Sequence, residues 1–244
     1  MKTLISVKKL ALGLALGGLF AWQAGATVAY TTPPGLPGTQ QDGPYTLADV
    51  FTPSSSIVVD ALGAFTANGN FSGTVDVAIY AVTSLGGSVS GSLISPVAAF
   101  NGSYTPGTVF QSIAPVTLAA NSTYMVVANN YGGVNGAAEN YNPAWDPANG
   151  GIYPSNPVHT GSNPLITANG LTFSQIGYYS GSGALGSTLN LNGDTFWTAG
   201  GPHYGAGNFD FTPVPEAAGF ALAGVALLGL VYAGRVYSQK LKLA

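Results

Sequence analysis

The chain has 244 residues and no cysteine, and only 6% of it is charged against 46% hydrophobic. The missing cysteines exclude a disulfide framework and thiol chemistry, and low charge with moderate hydrophobicity is the reverse of a disorder signature. Its six basic residues (Lys2, Lys8, Lys9, Arg235, Lys240 and Lys242) all lie near the ends, so nine acids and no lysine or arginine stand between Thr27 and Gly234. A surface of that kind cannot neutralise phosphates, so no nucleic-acid partner is expected.

The amino terminus carries the first signal. Lys2, Lys8 and Lys9 precede an apolar run over residues 10–20, and Ala24-Gly25-Ala26 supplies small residues for cleavage before Thr27. This is the three-part layout of a secretory signal peptide over residues 1–26, with signal peptidase as the implied partner and Ala24 and Ala26 as the recognition residues. An uncleaved anchor would need a longer apolar core. Export leaves a region without a trypsin site from Thr27 to Gly234, so digestion of even the unfolded protein should yield no internal cut there. A tryptic peptide from inside that region would overturn this reading.

Residues 27–44 hold Pro33, Pro34, Pro37 and Pro44 and read as an extended, strand-free linker. Strand signals begin near Tyr45. Residues 56–65 are β-branched and apolar around Asp60, and Asn68-Gly69-Asn70 marks a turn. Residues 74–82 alternate most clearly, with Val75, Val77, Ile79 and Ala81 on one face and Thr74, Asp76, Ala78 and Tyr80 on the other. That pattern predicts a half-buried antiparallel strand. Further strands are predicted over 92–100, 108–113, 115–118, 123–130, 171–179, 195–198 and 208–212. Many short strands without sustained helical periodicity indicate an all-β fold, a single antiparallel sandwich over residues 45–212. From 130 to 169 the chain is rich in Pro, Gly and Asn, and is expected to form a long loop of the kind that carries function.

The chemistry-bearing residues are sparse. Residues 181–186 spell the dinucleotide pattern GxGxxG, but strand and turn residues follow where a helix should cradle the phosphate. His159 and His203 lack a nucleophile motif, and Glu139 and Asp146 are an unspecific acid pair, so no enzyme activity is expected. Asp42, Asp146 and Asp194 do not form a calcium-loop spacing, so no metal or cofactor is expected. Aromatics among amides are the strongest lead. Trp145, Trp197, Tyr141 and Tyr153 are the candidate contacts for a glycan, whose rings stack on flat side chains while its hydroxyls meet Asn and Asp. The plain alternative is that these rings cover the sandwich core.

The carboxyl terminus is organised in three parts: Val214-Pro215-Glu216, an uncharged run over 217–234, and a basic tail with Arg235, Lys240 and Lys242. As a helix the run would extend roughly 27 Å at ~1.5 Å per residue, enough for a short membrane span. Cations beyond it place the tail in the cytoplasm and the preceding domain outside. The layout resembles the PEP-CTERM sorting signal of exported Gram-negative proteins, departing from it in Ala217, where proline is usual, and in a dispersed basic end. The resemblance implies an exosortase-type membrane protease as partner, a final site at the cell surface or outside the cell, and association with exopolysaccharide. Between residues 56 and 130, Val59-Asp60-Ala61-Leu62-Gly63, Val77-Ala78-Ile79-Tyr80, Pro115-Val116-Thr117-Leu118 and Ala120-Asn121-Ser122-Thr123-Tyr124 resemble jelly-roll-like sandwiches of exported, sorting-tagged bacterial proteins. The expected protein is a surface or matrix protein with residues 213–244 as its sorting signal. A carbohydrate-binding module using the loop aromatics is the alternative.

Overall fold

The computed structural model describes residues 25–31, 45–66, 69–86, 88–131, 166–180, 184–191 and 207–215. Every regular element among them is a β-strand. In chain order these are β1 (Thr27–Val28), β2 (Tyr30–Thr31), β3 (Tyr45–Pro53), β4 (Ile57–Thr66), β5 (Asn70–Leu85), β6 (Val89–Leu93) and β7 (Ala98–Ser103). They are followed by β8 (Gly107–Leu118), β9 (Tyr124–Tyr131), β10 (Ile166–Thr167), β11 (Leu171–Ser180), β12 (Thr188–Leu191) and β13 (Gly207–Pro213). All pairings are antiparallel.

Two main sheets pack in a sandwich-like arrangement. One has the order β1-β13-β4-β8; the other runs β11-β3-β9-β5-β6-β12, with β7 also on β5, and curls into a half barrel. The short pair β10-β2 stands apart. Residues 26–213 form one compact unit. The helices expected at residues 10–20 and 217–234 lie outside the described residues, among which no helix is long and apolar enough to cross a membrane.

The main core fills the space between the sheets. Phe51 of β3 is its aromatic centre, with ring centroids 4.7 Å from Phe209, 5.7 Å from Phe173 and 5.9 Å from Tyr124. Val75, Val77 and Ile79 of β5 join this core, as their alternation predicted. The opposite face does not behave as predicted. Ala78 and Tyr80 are fully buried in a second cluster with Ala48, Val50, Val89, Met125, Val127 and Leu191. The physical reason is the curl: a sheet that wraps on itself has an inside face, and strands crossing it are apolar on both sides. Gly91 permits the tight wrap, because a Cβ there would sit 2.6 Å from Met125 Cε and 2.9 Å from the Ala81 carbonyl.

Other differences from the sequence expectation have local causes. The strand expected over 92–100 is broken into β6 and β7, which lie end to end along β5. Residues 94–97 interrupt the strand between them, and Ser95 repairs the ladder. Its buried Oγ accepts from the Ile79 N–H at 2.8 Å and donates to the Pro96 carbonyl at 2.8 Å. Replacing Ser95 by Ala should leave the Ile79 amide without that acceptor and cost about 1–3 kcal/mol in urea unfolding. A loss below about 0.5 kcal/mol would show that Ser95 does not carry the break. The strands expected over 108–113 and 115–118 are one, because Pro115 falls in the register shift of the edge strand β8 on β4, where residues 113–115 have no ladder partner and a missing N–H breaks no pairing. Residues 27–31, expected within a strand-free linker, form β1 and β2 through long-range pairing with β13 and β10. The strand predicted over 195–198 lies outside the described residues.

Candidate functional site: the paired ends of the domain

The first and last strands of the compact unit are hydrogen-bonded neighbours. Thr27 pairs with Phe211 and Val28 with Asp210, and the Ala29 N–H donates to the Phe209 carbonyl at 2.8 Å. Side chains lock the seam. The Tyr30 hydroxyl donates to the Gly207 carbonyl, and Asn208 Nδ2 donates to the Tyr30 carbonyl at 2.8 Å. Asn208 Oδ1 accepts from the Phe209 N–H at 2.8 Å, so this buried amide is satisfied on both of its ends. Burial raises the Tyr30 phenol well above its ordinary range, with Asp49 and Tyr131 adding to the effect.

The sheet is entered one residue after Ala26 and left at Pro213, immediately before Val214. Both predicted processing points therefore adjoin one strand pair in the chain. Ala26 is exposed, Val214 is half-buried and Pro215 is exposed. Ala24, Glu216, Arg235, Lys240 and Lys242 lie outside the described residues. Strand β13 is also paired on its other side with β4, so it is an interior strand of its sheet. Sequence reasoning missed Tyr30, Asn208 and the β1–β13 pairing. Their partners stand about 180 residues apart, and no local periodicity reports such a contact.

Two acids sit on this sheet. Asp210 is half-buried beside a register shift in β13, and Asp60 is exposed beside one in the neighbouring β4. Burial, and then repulsion from Asp60, raise the Asp210 pKa against the lowering effect of the Phe211 N–H. Its Oδ1 is enclosed and accepts no hydrogen bond. Among the described residues no group of three His, Cys, Asp or Glu could hold a metal ion.

The other candidate region is the long loop. Strand β9 runs to Tyr131 and β10 begins at Ile166, so strand structure extends one residue past the expected loop start and precedes its expected end. Three successive side chains fix the root. Asn129 Oδ1 accepts from the Asp76 N–H at 2.7 Å and its Nδ2 donates to Asp76 Oδ2 at 3.2 Å. Asn130, in the left-handed region at φ 58°, donates to the carbonyls of Thr74 at 3.0 Å and Ser72 at 3.3 Å. Tyr131 crosses to the other sheet: its hydroxyl accepts from the Phe65 N–H at 3.0 Å and donates to the Phe65 carbonyl at 2.8 Å. The proposed glycan contacts Trp145, Trp197, Tyr141 and Tyr153 lie outside the described residues. So do Glu139, Asp146, His159 and His203. After the GxGxxG stretch comes strand β12, not a helix, so the phosphate cradle that pattern requires is not built.

These features define the class as an all-β, sandwich-like protein with two antiparallel sheets and paired ends. Comparison with protein-family models, curated proteins and solved structures finds no match.

Proposed function

We propose that this is an exported, non-enzymatic surface or matrix protein, delivered by its amino-terminal signal and sorted by the PEP-CTERM-like segment 213–244. Signal peptidase and an exosortase-type protease are its processing partners, the membrane holds the intermediate, and exopolysaccharide is its final surrounding. The carrying observation is the adjacency in the chain of both processing points to the β1–β13 pair. An interior last strand supports a domain that keeps its fold when residues beyond Pro213 are removed, because no strand partner is lost with them. The finer fold reading is jelly-roll-like. It is supported by repeated crossing of the chain between sheets, at β3 to β4, β4 to β5, β7 to β8 and β8 to β9.

The test is replacement of Pro215 and Glu216 by Ala in the producing organism. Loss of extracellular product with accumulation of full-length chain in the membrane is expected. Unchanged release would remove the sorting reading. For the alternative, a carbohydrate-binding module, retention on the organism's own exopolysaccharide that survives raised salt and disappears with Trp145→Ala is the decisive result.

A further inference from the structure

Among the described residues asparagine precedes glycine twice, at Asn101-Gly102 and at Asn169-Gly170. The pairing has its own chemistry. Glycine has no β-carbon to block approach, so its amide nitrogen can close on the preceding carboxamide carbon. In a folded chain that closure needs an exposed carboxamide, an amide N–H without a partner, and a backbone free to rotate.

Asn169-Gly170 meets all three conditions. The two residues form the turn between β10 and β11, and both are exposed. Gly170 lies in the left-handed region at φ 89° while Asn169 does not, and the Leu171 N–H donates to the Ala168 carbonyl at 3.4 Å. This is a type II turn, whose third position favours glycine. Neither the Asn169 carboxamide nor the Gly170 N–H makes a hydrogen bond, and the turn is closed only by the long bond at 3.4 Å. Asn101 is exposed too, but it sits inside β7. Its neighbours Phe100 and Gly102 are in register with Val75 and Phe71 of β5, and rotation there works against the ladder.

We propose that Asn169 is a site of self-modification, where the Gly170 nitrogen displaces ammonia from the carboxamide and the turn is rebuilt as isoaspartate. The N–Cγ bond forms as the Cγ–Nδ2 bond breaks, and the amide proton leaves with the ammonia. Water then opens the cyclic imide at either carbonyl, giving aspartate or isoaspartate, with no oxidation or reduction. The change falls where the chain is tied on both sides. The Ala168 N–H donates to the Ala29 carbonyl at 2.9 Å, and the Ser54 N–H donates to the Gly170 carbonyl at 2.8 Å. Isoaspartate lengthens the backbone by one atom between these two bonds. It therefore loosens the hold of the turn on the β10-β2 pair and on the end of β3, and it adds an acid to a region without lysine or arginine.

The full chain is incubated at mildly alkaline pH, folded in one sample and in urea in another. Pepsin then cuts it, because trypsin has no site from Thr27 to Gly234 and acid halts the reaction. Isoaspartate and aspartate at each position are read by fragment mass spectrometry. In the folded chain Asn169 should convert several-fold faster than Asn101, at a rate that rises with pH, whereas in urea the two rates should converge. Conversion of Asn101 as fast as Asn169 in the folded chain, or an unchanged Asn169, overturns the proposal. The converted protein is then compared with Asn169→Asp, which carries the same charge without the extra backbone atom. Its Tm should lie about 2–4 °C lower; equal values would overturn the rebuilding of the turn.

Discussion

Tyr131→Phe should lower the unfolding free energy by about 2–4 kcal/mol. One hydroxyl at the end of β9 serves both the N–H and the carbonyl of Phe65, across the gap between the sheets. At that height β4 has outrun β13, whose pairing ends at Ala64 with Gly207. The tyrosine therefore stands where the next strand residue would be. Removing it orphans a buried donor and a buried acceptor together, which costs more than the net value of the bonds themselves. Tyr124→Phe is the control. Its hydroxyl accepts one bond, from the Ala119 N–H at 2.9 Å across the β8–β9 turn, and its loss should cost about 1 kcal/mol. Urea unfolding of both variants measures the difference, and equal losses would contradict the clamp.

A steep loss of stability above pH 10 is the second expectation. Tyr30 and Tyr131 are fully buried and burial holds both phenols well above their usual range; Tyr80 is pushed up to about 12, by burial first and then by Asp76. The unfolded chain releases these protons near pH 10 while the folded one retains them, so the native state binds more protons in that range. Stability is then fully present below pH 10 and falls as pH rises through 12. The region from Thr27 to Gly234 makes this test unusually clean, since it has no lysine or arginine to lose its charge over the same range. Far-ultraviolet circular dichroism and phenolate absorbance at 295 nm, followed together, should show the buried tyrosines ionising in one cooperative step with loss of the sheet signal. Smooth phenolate titration with the sheet intact would contradict the burial of these rings in a tight core.

The strands were legible where an apolar, β-branched or aromatic run is bounded by local turn residues. Residues 57–66, 124–131 and 171–180 emerged within a residue or two of their expected limits, since β-branched runs between Gly, Asn and Pro clusters form strands in most contexts. Three things were not legible, each for a physical reason. Ala78 and Tyr80 looked like a solvent face because alternation cannot distinguish water from the inside of a curled sheet. The break at Ser95 was hidden because a side-chain hydroxyl replaced a backbone acceptor. Thr27 and Tyr30 looked like linker because what orders them is β13 and β10, far along the chain. For the site, sequence reasoning named Ala26, Val214 and Pro215 as expected processing residues but not that β1 and β13 pair.

The intact mass of the extracellular protein tests the central claim most directly. A chain beginning at Thr27 and ending upstream of Ala217 is the predicted result, with both targeting segments gone and the β1–β13 pair left at the ends of the product. A mass that still includes residues 217–244 would contradict sorting by the C-terminal segment, and one that still includes residues 1–26 would contradict export by a cleaved signal.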